Sequence, residues 1–118
     1  MGMDIDIFGV VDGKEEEIAS MRTSGAYRLG IYIHPFEYAL QCVVEPWDSD
    51  WGRMPITLEQ LEQARAYLFL AACDKSIIPE SMNMERAELF ALTSNALTRA
   101  IWWMDEHPGA TAYVVHRT

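Results

Sequence analysis

Asp48 and Asp50 resemble the first oxygen donors of a calcium loop, and Glu59 stands at the twelfth position counted from Asp48. The pattern breaks in between. Gly52 replaces the third donor, Arg53 occupies the position that needs glycine, and Pro46 spoils an incoming helix. His34, His107 and His116 lie far apart and lack the paired spacing of zinc ligands, so no metal and no cofactor are expected. Cys42 with His34 would make a nucleophile and base only if a hairpin brought them together, and a cysteine on an alternating apolar face is usually core. The chain has no glycine-rich phosphate loop and no serine-centred elbow, so no catalytic residue is assigned.

What remains is a chemistry of contact. Trp47, Asp48, Asp50, Trp51 and Arg53 place two indoles, two carboxylates and a guanidinium in one loop between Pro46 and Pro55. Such a loop offers apolar anchors and charge steering together, and these five residues are read as the partner-binding set. Trp102 and Trp103 form a second candidate. Neighbours on a helix point about 100° apart, so both indoles cannot enter one core stripe. Ile101 and Trp102 are therefore read as an oligomer interface, with a symmetric homodimer as the simplest cover.

These residues need elements to position them. The longest run without Gly or Pro contains Asn83 to Glu106, read as a helix that crosses the whole core, capped by Asn83 and ended by Pro108. Leu89, Thr93, Ala96, Ala100 and Trp103 form its inner stripe, with Leu92 and Leu97 beside them, and His107 stands at its negative end. Thr57 with Gln60 is a capping box for a preceding helix whose inner face is Leu58, Leu61, Ala64, Leu68, Ala71 and Ala72. Ile56 packs on Leu61 as a staple, while Tyr67 and Phe69 help cover the final helix. The two helices are expected to lie antiparallel.

Alternation predicts strands over 5–11, 27–34, 38–44 and 110–116, the middle two forming a hairpin through His34 to Glu37. A helix starting at Pro35 is the competing reading there. Between Asp12-Gly13 and Thr23-Ser24-Gly25, the box from Asp12 to Glu15 and three poor strand formers in a row predict a short helix over 14–22, against a hairpin return. The fold class that follows is α+β: an antiparallel sheet of three to four strands packed against two long antiparallel helices, in one domain spanning 1–118.

Composition bounds the function. The chain has 118 residues, half of them apolar, and its 18 acids against 9 bases give a formal charge of −9. That excess opposes nucleic acid and anionic membranes and favours a basic or neutral protein partner. Asp4, Asp6, Asp12, Glu15, Glu16 and Glu17 against Lys14 make the start of the chain an acidic patch. No apolar run is long enough to span a bilayer, and the N-terminus has no signal-peptide pattern, so the expected location is cytoplasmic with reduced thiols. Together these point to a small acidic protein-interaction module of the inhibitor, immunity or adaptor kind, dimeric and without enzymatic activity. The rival is a small-molecule binder or enzyme with a site between sheet and helices, lined by Tyr32, His34, Tyr38 and Trp47.

Overall fold

The computed structural model describes residues 4–22, 29–73 and 86–117, apart from the side chains of 22, 29–34, 71–73 and 86–90. In chain order these form β1 (Asp4–Val11), β2 (Lys14–Arg22), α1 (Leu29–Gln41), β3 (Arg53–Ile56), α2 (Leu58–Cys73), α3 (Arg86–Glu106) and β4 (Thr111–Arg117). The strands make one antiparallel sheet in the order β2-β1-β4-β3. Helices α1 and α3 pack on one face of it, and α2 packs on α1 and α3. The protein is thus α+β, and none of the described helices packs on the other face of the sheet.

The 14–22 segment is a strand and not the expected helix. Asp12 and Gly13 both take left-handed backbone, φ 53° and 76°, the conformation of a two-residue hairpin turn whose twist matches the flanking strands. Val11 pairs with Lys14 directly across it. A bulge then leaves Ile18 as the extra residue, since Ile7 pairs with Ala19 but Phe8 pairs with Glu17. Ile18 and Ala19 are both buried as a result, while the three glutamates stay in solvent on an edge strand, where poor strand propensity costs little.

The second departure is α1, which replaces the expected hairpin over 27–44. Phe36, Ala39, Leu40 and Val44 are buried at spacings of three, one and four, a helical stripe that outweighs the alternation before Pro35. Pro35 lies inside the helix, not at its first position. Cys42 is consequently an exposed free thiol just past a helix end, not a core residue of a strand. The third departure is β3, a strand of four residues inside the expected loop, with Met54 and Ile56 facing inward.

Helix α2 starts as the sequence predicts. Gln60 N–H donates to Thr57 Oγ1 at 3.1 Å and Thr57 N–H to Gln60 Oε1 at 2.9 Å, while the Gln60 amide also donates to Val43 O. Leu61, Ala64 and Leu68 are buried, while Tyr67 is 38% and Phe69 56% exposed. In α3 the buried stripe is Thr93, Ala96, Leu97, Ala100 and Ile101, with Trp103 and Met104 at its margin and Leu92 exposed. The two helices run antiparallel: Leu58 at the start of α2 shares a groove with Met104 and His107, and Arg65 Nη1 donates to Thr98 Oγ1 further along. The expected cap Asn83, the Leu89, Ala71 and Ala72 side chains, and the turns at 23–25 and 74–79 lie outside the described residues.

Candidate functional site on the open face of the sheet

The alternation of β1 and β4 sends Ile5, Ile7, Ala112 and Val114 toward the helices, and Asp6, Phe8, Tyr113 and Arg117 to the opposite face. That second face is where the structure assembles unusual chemistry. Phe8 and Tyr113 stack with ring centres 5.2 Å apart. Arg53, arriving on β3, lies over the Tyr113 ring at 4.7 Å, and Arg117 lies over Phe8 at 5.8 Å and Trp51 at 5.4 Å. An open cleft of about 330 Å³ runs between these side chains.

Each arginine is also neutralised. Arg53 Nη1 meets Glu15 Oε1 at 2.8 Å, and Arg117 Nη1 stands 3.0 Å from Asp6 Oδ2. Asp6 is fully buried and accepts the Ser20 hydroxyl at 2.7 Å on its other oxygen. Burial, and then a hydrogen bond to the Glu15 carboxylate, raise the Tyr113 phenol above its ordinary 10.0. The cleft is therefore balanced in charge and rich in flat surfaces.

The loop of 46–52 delivers Trp51 to this face, and its residues divide the work. Trp47 turns inward, half-buried, and gives its indole N–H to His116 Nδ1 at 3.1 Å. An indole only donates, so His116 keeps its proton on Nε2, which lies 3.5 Å from Glu37 Oε2. Asp48 folds the loop on itself by accepting the Asp50 N–H at 2.7 Å, and its carboxylate fills the space that any side chain at position 52 would need. Asp50 is exposed. Trp51 donates its backbone N–H to His116 O at 3.1 Å, which extends the β3–β4 pairing, and takes φ 68°; the residue is 59% exposed.

Of the five residues read together in the sequence, Trp51 and Arg53 meet in the cleft; Trp47 and Asp48 hold the loop's shape. Phe8, Glu15, Tyr113 and Arg117 were missed. The signal was present: two aromatics occupy the outward positions of strands whose inward positions are aliphatic.

The second candidate also divides. Ile101 is 3% exposed and belongs to the core, which corrects its reading as an interface residue: it follows Leu97 by one helical turn and shares that buried stripe. Trp102, one position on, is 63% exposed. Trp103 lies over Gly9 of β1, where a side chain would overlap its ring, and donates its indole N–H to Glu16 Oε2 at 3.0 Å. His107 stacks on Trp103 at 4.2 Å and gives its Nδ1 proton to the Trp103 carbonyl at 2.7 Å.

A groove of about 400 Å³ lies between the start of α2, the end of α3 and the β3–β4 pair. Its lining is mostly apolar, and among the described residues His107 is the one titratable side chain there, with no nucleophile beside it. Of the rival site, Tyr38 and Trp47 pack against the core, and the side chains of Tyr32 and His34 lie outside the described residues. Among the described residues no three His, Cys, Asp or Glu side chains converge to hold a metal, and no helix is long and apolar enough to cross a membrane. No family model, curated protein or solved structure matches the chain.

Proposed function

We propose that this chain is a small protein-interaction module that engages a protein partner through the open face of its sheet, with Trp51 as the central anchor. The observation that carries this reading is the display of Trp51. A bulky side chain on left-handed backbone costs about 1–2 kcal/mol, and that cost is borne here to hold an indole in solvent over Arg117. Trp51, Tyr113, Arg53 and Arg117 are also the residue types that dominate binding energy in protein interfaces. Their planar groups are already stacked and paired, so little side-chain freedom is lost on docking. The −9 charge outside the cleft favours a basic or neutral partner, as expected of an inhibitor, immunity or adaptor protein.

The test is affinity capture from the native cell with the wild-type chain, Trp51→Ala and Asp50→Lys. A stoichiometric protein retained by the wild type, lost with Trp51→Ala and weakened with Asp50→Lys, is the expected result, with circular dichroism unchanged in both variants. Asp50 is the acid to reverse, because Asp48 is spent on the turn. Capture indifferent to both substitutions overturns the proposal.

A further inference from the structure

His116 holds the Trp51 loop through both its main chain and its side chain. Its carbonyl accepts the Trp51 N–H at 3.1 Å, and its Nδ1 accepts the Trp47 indole N–H, also at 3.1 Å, with the two rings tilted at 5.6 Å. The imidazole is buried. Pairing with Ile5 puts it on the helix side of the sheet, where Glu37 of α1 brings Oε2 to 3.5 Å from Nε2, while Asp4, Asp6 and Arg117 alternate to the opposite face. Among the described residues, Glu37 is the one charged group on this ring and Trp47 its one side-chain donor.

These contacts fit a single protonation state. A neutral imidazole presents one acceptor and one donor, and an indole only donates, so Nδ1 is the acceptor and Nε2 carries the proton toward Glu37. A second proton has only Nδ1 to bind. It turns that acceptor into a donor aimed at the Trp47 N–H, and the indole must leave; the new charge is met by the Glu37 carboxylate, whose side chain is 21% exposed. Trp51 then loses a support. Its left-handed backbone persists only while the surroundings over-determine it, and Trp47 is the loop residue packed against the core. We infer that His116 is a proton switch for the Trp51 loop: a proton gained at Nδ1 expels the Trp47 indole and releases the loop, and its loss restores both. The consequence for a partner, release as the pH falls, rests on the reading of Trp51 as the anchor; the switch itself does not.

The experiment uses the free full chain, isotope-labelled for NMR and taken from about pH 8 to 5, the span in which imidazoles ordinarily change charge. The His116 ring carbons and the Trp47 indole N–H should move with one midpoint. Exchange of the Trp51 amide, corrected for its intrinsic pH dependence, should speed about tenfold in the protonated form while the Val114 amide stays protected. In His116→Asn, whose side-chain oxygen accepts from Trp47 but takes no proton, the indole signal and the Trp51 exchange should hold their high-pH values throughout. Should that variant fail to fold, Trp47→Phe serves: His116 still titrates, and Trp51 exchange no longer follows it. A Trp47 indole that stays bonded while His116 titrates, a Trp51 exchange that follows pH in either variant as it does in the wild type, or a chain that unfolds before His116 takes up its proton each overturn the inference. None of these readings involves a partner, so their failure leaves capture through Trp51 untouched, and failure of that capture leaves them standing.

Discussion

Tyr113 shows how much of the site is decided by single side chains. Its ring is held between Phe8 and Arg53, and its hydroxyl is bonded to Glu15, so ionising it would place a phenolate against a carboxylate on a partly covered surface. The folded chain therefore holds this proton more tightly than the unfolded chain does. By linkage, the associated stability is complete below the ordinary 10.0 and is lost as pH rises through the higher folded value. Urea titrations on either side of that pH should show the wild type losing more stability on the alkaline side than Tyr113→Phe; parallel losses would mean the contact with Glu15 is not made. The sequence exposed half of this constellation. Trp51 and Arg53 stood out by type, but their neighbours come from β1, β2 and β4, and spacing along the chain carries no trace of which strand lies beside which.

At the scale of elements, legibility followed how local the determining force was. The start of α2 was readable because a capping box is satisfied within four residues. β1, β4 and the body of α3 were readable because their burial patterns run uninterrupted. The 14–22 segment was not, because the same Asp12 that suits a helix cap also suits a hairpin turn, and pairing with β1 decides between them. α1 was missed because eight alternating residues, 27–34, preceded the helical stripe of Phe36, Ala39, Leu40 and Val44. β3 exists only because β4 is there to pair with. The docking of α3 on this sheet depends on Gly9, whose missing side chain admits the Trp103 ring. Overpacking costs typically about 1–3 kcal/mol, and Gly9→Ala should lower stability by that amount. It should also weaken the Trp103 to Glu16 bond, visible as a shifted indole resonance; an unchanged melting temperature and indole shift would show that Trp103 does not rest on β1.

At the scale of the whole molecule, the proposed partner binding would divide between forces that bring a partner and forces that keep it. Acidic side chains lie along the hairpin at Asp12, Glu15, Glu16 and Glu17, on α2 at Glu59 and Glu62, and at the end of α3 at Asp105 and Glu106. Their field reaches beyond the surface and acts during approach, where salt screens it over about 10 Å at 0.1 M. The Trp51 cleft is neutral by pairing, so in the proposed complex it would act only in contact. For the partner captured through Trp51, rising ionic strength should therefore slow association about tenfold while leaving dissociation nearly unchanged, and Asp50→Lys should reduce that salt dependence. Trp51→Ala should do the reverse, speeding dissociation while keeping the salt slope of the association rate. Stopped-flow measurements of both rates across a salt series separate the two contributions. An association rate flat in salt would place the acidic surface outside the encounter, and a dissociation rate untouched by Trp51→Ala would remove the displayed indole from the bound complex.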